Sequence, residues 1–216
     1  METSISVKVE RKPAIKSIVV YPSLRLLGYW SSIASLVFAW GYSAAQLLTW
    51  FQIISYPHDL FWLFFPSLFL APAFLVNIIC LHFTIRKERR IWSAIGAAFA
   101  IIYCALATLT YFTQLGSVVP GIIKGQITES HVLFFKPRSF TISIDCLGYF
   151  FMSLATLFTG FAFRRKDRRL YLWFLLNGLL LTVLVPAYFY PFLYYFGSVW
   201  IVTFSLSMIY SARVFK

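Results

Sequence analysis

The sequence predicts an all-α integral membrane protein, a six-helix bundle with both termini in the cytoplasm. Three observations carry that reading. Sixty per cent of the 216 residues are hydrophobic and 12% are charged, too little polar surface to clothe a soluble domain of this length. Apolar runs recur at the length of roughly 20 residues that crosses a hydrocarbon core. The cations are also confined: 16 of the 19 Lys and Arg fall in an N-terminal arm, two short blocks and the tail.

Residues 1–25 form a hydrophilic basic arm carrying Lys8, Arg11, Lys12, Lys16 and Arg25. Six apolar spans follow, at about 26–51, 60–85, 91–115, 140–163, 170–187 and 195–212, and residues 213–216 form a tail. Ser43-Ala44-Ala45 resembles a small-residue cleavage site, but the long arm and long apolar run fit an uncleaved anchor better. The blocks Arg86–Arg90 and Arg164–Arg169 separate spans two from three and four from five. With six spans, arm, blocks and tail share one side, and the excess of cations places that side in the cytoplasm. The net charge of +12 is thus an orientation signal, and no nucleic-acid partner is expected. Trp30, Trp50, Trp62, Trp92 and Trp173 lie near predicted helix ends, where indoles favour the headgroup layer; Trp40 is mid-span. The break between spans five and six is placed near 188–195 by Pro186, Pro191 and Gly197.

Three loops face outward. The longest, 116–138, alternates apolar patches with Gly and Pro, and its Val132-Leu133-Phe134-Phe135 reads either as an interfacial anchor or as part of a functional loop. Between Tyr188 and Phe196, seven of nine residues are aromatic, which fits an interfacial belt or a surface for an organic cation. The blocks "RKERRI" (Arg86–Ile91) and "RKDRRL" (Arg165–Leu170) match, yet any two loops obeying the same charge rule look alike.

No catalytic motif appears: no His-Glu-x-x-His, no phosphate-binding Gly-rich loop, no Gly-x-Ser-x-Gly. His58, His82 and His131 are scattered, and Cys80, Cys104 and Cys146 lack metal spacing. Neither metal nor cofactor is expected, and the chain reads as a non-enzyme. Polar groups inside the membrane remain, and they are the functional candidates. Gln46, Gln114 and Asp145 each lie within roughly 8 Å of their helix's outer end at 1.5 Å per residue. Tyr42, Tyr111 and Tyr149 share their faces. Asn77, His82 and Asn177 fall toward the other half; His82 reads as an interfacial histidine and Asn177 as interhelical glue. Pro66 and Pro72 are expected to kink the second span.

The fourth span is the most informative. Asp145, Tyr149, Met152/Ser153, Thr156 and Gly160 follow helical spacing as one polar, small-residue stripe. Two readings compete. The stripe lines a cavity with Asp145 as its charged contact, or Thr156-x-x-x-Gly160 is a packing seam and Asp145 pairs with Arg138 or Lys136 in the first turn.

Asp145-x-x-Gly148-Tyr149-x-x-Met152-Ser153-Leu154-Ala155-Thr156-Leu157-Phe158, a basic loop, Trp173 and Asn177-Gly178 together resemble a group of uncharacterised bacterial multi-spanning inner-membrane proteins. The likeness covers the fourth and fifth spans and implies a bacterial inner membrane, with no activity attached. In architecture the chain also looks like the substrate-binding subunits of vitamin uptake transporters, with Ser31, Ser35 and Ala39 approximating their small-residue docking spacing.

The sequence therefore leads to a protein that binds or transports a small polar or cationic solute through an outward-facing pocket. Its expected ligand-binding residues are Asp145, Tyr149, Gln46, Gln114, Tyr111 and Tyr188. A homo-oligomer or a partner membrane subunit is expected, the chain being small for a complete transporter. The alternative is an accessory subunit of a membrane complex, with no ligand of its own.

Overall fold

A computed structural model describes residues 21–128, 131–136, 138–187, 190 and 198–216, and all regular structure among them is helical. Helix α1, Pro22–Trp50, opens on a proline, which presets φ and lacks only an N–H that the first turn leaves unbonded anyway. Its inward face is small, with Gly28, Ser32, Ser35 and Ala39 buried, while Leu26, Leu27, Trp30, Val37 and Trp40 face out. Helix α2, His58–Phe83, continues without interruption through Pro66 and Pro72.

Helix α3, Arg90–Thr113, follows a 3₁₀ turn at Lys87–Arg89. The helical path does not end near 115 as the sequence led us to expect. It widens into a π-helical turn, Gln114–Val118, and runs on as α4, Val119–Ile123. Pro120 sits in the first turn of α4, where a missing N–H is tolerated, so it does not break the path. Gly125, at φ +68°, then reverses the chain, and Gln126 N–H donates to Gly121 O at 2.8 Å, a glycine stop of the usual kind.

Helix α5 is Phe140–Phe163, capped by the Ser139 hydroxyl accepting from Ile142 N–H. The fifth span divides in two. Helix α6, Arg168–Leu179, and α7, Leu181–Ala187, meet at Leu180, where Val183 N–H bonds Leu180 O at 3.0 Å in a tighter i→i+3 step. Helix α8, Val199–Phe215, absorbs most of the expected tail. The aromatic segment apart from Tyr190, and arm residues 1–20, lie outside the described residues.

The helices close into a ring. Each packs on its sequence neighbour, α1 on α2, α2 on α3, α3 on α5, α5 on α6, α6 on α8, and α8 returns to α1. Two asparagines hold the ring where the last helices close it. Asn77 donates to Gly28 O and Ser32 and accepts from the Ser211 hydroxyl at 2.9 Å, joining α2, α1 and α8. Asn177 donates to Thr156 at 3.2 Å and accepts from Thr203 at 3.0 Å, joining α6, α5 and α8. The interhelical role read for Asn177 is what its contacts show. Backbones approach closely at glycines: Gly96 faces Thr159 and Ala155, and Gly178 faces Leu157.

The axis is filled by aromatic rings. Tyr103 meets Tyr149 at 6.1 Å between centroids, Tyr149 meets Trp200 at 5.8 Å, and Trp200 stacks on Phe204 at 5.0 Å. Phe204 meets Phe74 at 5.8 Å, and Phe74 returns to Tyr103 at 5.6 Å. This closed circuit draws on α2, α3, α5 and α8.

All cationic blocks among the described residues gather at one end, and several do structural work there. Arg25 donates to the carbonyls of Phe215 and Lys216 beyond α8. Lys166 donates to Thr84 O at 2.8 Å and Arg90 to Ile85 O at 3.1 Å, both past the end of α2. Cations suit these C-terminal carbonyls. Burial, and secondarily Arg86, lower the Lys166 pKa, against the opposing pull of Asp167. His82 is half-buried and bonds Ser93 at 2.9 Å, tying α2 to α3.

The two matching basic blocks diverge in structure. Asp167 caps α6, accepting from Arg169 and Leu170 N–H at 3.0 Å each, whereas the equivalent Glu88 lies in the 3₁₀ turn and α3 has no side-chain cap. Asp167→Ala should therefore lower stability by about 1 kcal/mol, and Glu88→Ala should change it by less than about 0.5 kcal/mol, as read from thermal midpoints in detergent.

Three helical stretches, His58–Phe83, Lys87–Ile123 and Phe140–Phe163, are long and apolar enough to cross a membrane. The distribution of side chains suits lipid: large apolar residues cover the outside, while Ser, Thr, Asn and Gln are buried within.

Candidate functional site

At the end of the ring opposite the cations, α5 brings Asp145 inward. It lies five residues beyond the start of α5, so Thr141, Asp145, Gly148 and Tyr149 share one face. That face meets α3 and α1. The carboxylate lies within electrostatic reach of the hydroxyls of Tyr42 from α1, Tyr103 and Tyr111 from α3, and Tyr149 from its own helix. Tyr111 faces the carboxyl directly, and its hydroxyl is 3.2 Å from that of Tyr149. Gln46 donates to Tyr42 Oη at 2.8 Å from the exposed side.

Three polar atoms here are buried without a hydrogen-bond partner: Asp145 Oδ1, Tyr103 Oη and Trp200 Nε1. Buried polar atoms are normally satisfied, because desolvation without a replacement bond costs on the order of 1–3 kcal/mol. Tyr42, Asp145, Tyr149 and Trp200 are each half-buried, although Trp200 packs edge-on against both Tyr42, at 6.4 Å, and Tyr149. They sit at the edge of the aromatic circuit, which Tyr149 and Trp200 join.

The long loop covers this end. Gln114 Nε2 donates to Leu133 O at 2.9 Å, and Phe135 packs on Phe64 at 5.1 Å. Phe64 stacks in turn on Tyr111 at 6.0 Å. The segment 131–136 thus packs back on α2 and the π turn through Phe64 and Gln114.

The sequence-predicted residues separate accordingly. Asp145, Tyr111 and Tyr149 come together. Gln46 reaches the cluster only through Tyr42. Gln114 turns to the loop instead, its Nε2 donating to Leu133 O. Tyr188 lies outside the described residues. The pairing of Asp145 with Arg138 or Lys136 is not what forms, since tyrosines surround the carboxyl and Oδ1 has no donor.

No protein-family model, curated protein or solved structure matches this chain. What the site does must follow from its own atoms.

The packing seam read for the α5 stripe is seen in its half away from Asp145. There a Cβ added at Gly160 would stand 3.1 Å from Phe174 Cβ and Thr156 serves the Asn177 clasp, while Asp145 and Tyr149 lie in the tyrosine cluster. Ser31, Ser35 and Ala39, the docking spacing on the first helix, are buried within the chain itself and do not form an external surface. Tyr42, Tyr103 and Trp200 complete the cluster but are not among the residues the sequence selected. Tyr103 and Tyr111 are eight apart on one helical face, a legible signal; Trp200 in its apolar run carried none.

An opening of about 420 Å³ lies at the basic end between Pro22, Arg25, Leu26, Tyr29, Phe215 and Lys216. Its cations are engaged, Arg25 by carbonyls and Lys216 by the Tyr29 ring at 5.6 Å. It is remote from Asp145. Among the described residues, no group of three or more His, Cys, Asp or Glu is placed to hold a metal.

Proposed function

We propose that this is a six-span protein of a bacterial inner membrane, with its basic end in the cytoplasm and an outward-facing pocket at Asp145 that binds, and in the cell transports, a small polar or cationic solute. The observation that carries the reading is the Asp145 carboxyl, buried on one oxygen with no partner, among four tyrosines near the end away from the cations. An intramembrane carboxyl is costly to keep and marks a solute or ion pathway more often than a packing need. The aromatic floor supports a binding site closed on the cytoplasmic side rather than an open channel. At 25.0 kDa the chain fits a homo-oligomer or one subunit of a larger transporter.

The accessory-subunit reading draws less support, because the small-residue seams that would receive a partner helix are occupied within the chain.

The test is side-specific labelling. With Cys80, Cys104 and Cys146 replaced by Ala, Tyr149→Cys should react with a membrane-impermeant cationic thiol reagent added outside intact cells and not with one confined to the cytoplasmic side of inverted vesicles. Reaction from the cytoplasmic side alone would reverse the orientation and remove the outward-facing pocket.

A further inference from the structure

We infer that the outer face where α3, α5 and α6 meet at the basic end docks the headgroup of an anionic phospholipid, held by Arg89, Arg164 and Arg168 above a strip of aromatic rings. The inference is independent of the Asp145 cluster and needs only that the chain spans a bilayer.

The strip crosses three helices. Trp92 of α3 meets Phe161 of α5 at 5.5 Å between centroids, and Phe161 meets Tyr171 of α6 at 6.4 Å. Trp92 is 41% exposed, and the other two rings are half-buried. Each ring lies two or three residues from the end of its helix, the level at which indole and phenol rings favour the boundary between headgroups and acyl chains.

Three residues beyond each ring, toward the basic end, stands an arginine: Arg89 before Trp92, Arg164 after Phe161 and Arg168 before Tyr171. That spacing sets each guanidinium on the side of its own ring, one turn further out. The loops that carry them are tied together, since Lys166 donates to Thr84 O at 2.8 Å. The three pairs therefore belong to one surface.

Other cations at this end are engaged by the protein. Arg25, Arg90 and Lys166 donate to carbonyls, and Arg213 and Lys216 lie over the rings of Tyr210 and Tyr29. Among the described residues, Arg89, Arg164 and Arg168 have no such partner, and Arg164 and Arg168 are exposed. Asp167, the acid between them, is turned to the N–H groups of Arg169 and Leu170. A guanidinium offers phosphate two parallel donors. An anionic phospholipid presents its phosphate at this level and lays its acyl chains along the rings below. A soluble polyanion matches the charge and not the apolar strip.

The experiment titrates the delipidated protein, in neutral detergent, with phosphatidylglycerol, cardiolipin, phosphatidylethanolamine and inorganic phosphate. Bound lipid is counted by native mass spectrometry, and thermal midpoints are recorded alongside. Two triple variants are compared with wild type: Arg89→Gln/Arg164→Gln/Arg168→Gln, and Arg86→Gln/Lys87→Gln/Arg169→Gln, which removes the same charge from the same end. We expect the two anionic lipids to bind wild type at least about tenfold more tightly than phosphatidylethanolamine. The first triple should lose most of that preference and the second should keep it. Equal loss in both triples means a general attraction of the basic end and overturns the docking surface, as does equal binding of phosphatidylethanolamine. Displacement of the lipids by inorganic phosphate makes a soluble anion the ligand and overturns the lipid assignment. Should the first triple fail to fold, Arg89→Lys/Arg164→Lys/Arg168→Lys keeps the charge and loses the paired donors; it should bind phosphatidylglycerol several-fold more weakly, and unchanged binding overturns the role of the three arginines. Each of these outcomes leaves the Asp145 reading as it stands.

Discussion

Gly96→Val should strongly destabilise the fold. A Cβ at position 96 would run into the Thr159 hydroxyl and come within 2.9 Å of Ala155 O and 3.0 Å of Thr159 N. Two of those three atoms are backbone of α5 and cannot rotate away. Relief requires α3 and α5 to separate, and these helices form the ring's most extensive contact and carry both Tyr111 and Asp145. Overpacking against rigid backbone typically costs 1–3 kcal/mol and at times more. We expect Gly96→Val to fall at the upper end, about 3 kcal/mol, and to lose the folded, detergent-stable fraction on size-exclusion chromatography. Gly116→Val meets nothing nearer than the Phe112 ring at 3.9 Å and should behave as wild type.

Asn77→Leu should be nearly as severe, for a different reason. The leucine has similar bulk but abandons Gly28 O, Ser32 and Ser211. These bonds tie the first helix to the last across the seam where the ring closes. Interhelical hydrogen bonds in a membrane contribute roughly 0.6–2 kcal/mol each, so the loss should total about 2–4 kcal/mol in a thermal or denaturant midpoint. Asn77→Asp would keep an acceptor for Ser211 but place a charge at a fully buried position, and should destabilise further still. Ser35→Ala is the internal control: that hydroxyl bonds its own helix at Ser31 O, and its removal should change stability by less than about 0.5 kcal/mol.

How much of this was legible in the sequence differs by element. Residues 140–163 were expected as a span and Phe140–Phe163 is the helix, because a polar loop and a block of five cations mark its two ends plainly. The end of α3 was not legible. Gly116 and Pro120 read as loop residues, yet a proline is at ease in a first helical turn and a π turn keeps the path continuous. Gln114 was misjudged for another reason: its amide finds the Leu133 carbonyl on the distant loop, a partner that helical spacing does not show. The acid and two of its tyrosines could be found because a charge in an apolar helix stands out and the rings follow at i+4 or on a neighbouring face. Trp200 could not, since an indole within a long apolar run looks the same whether it faces lipid or the ring's interior. Its position depends on how α8 closes against α1, which is set by Ser211 and Asn77, residues 134 apart.

The basic blocks show a similar division. Their confinement to one end followed from the sequence. That Arg25, Lys166 and Arg90 would hold specific carbonyls at the ends of other helices is a tertiary fact with no local signature.

The account turns on whether Asp145 is kept for a ligand or for the fold. The direct measurement is thermal unfolding of the purified wild type and Asp145→Asn in the same detergent, each alone and with a panel of small polar and cationic metabolites. A carboxyl with one oxygen buried and unpartnered is a burden on the fold, so the nearly isosteric amide should unfold at the same temperature as wild type or higher. The wild type should gain stability from at least one cationic or polar solute, and the variant should lose that gain. A lower midpoint for Asp145→Asn, with neither protein responding to any solute, would contradict the account and make the acid a structural residue of an accessory protein.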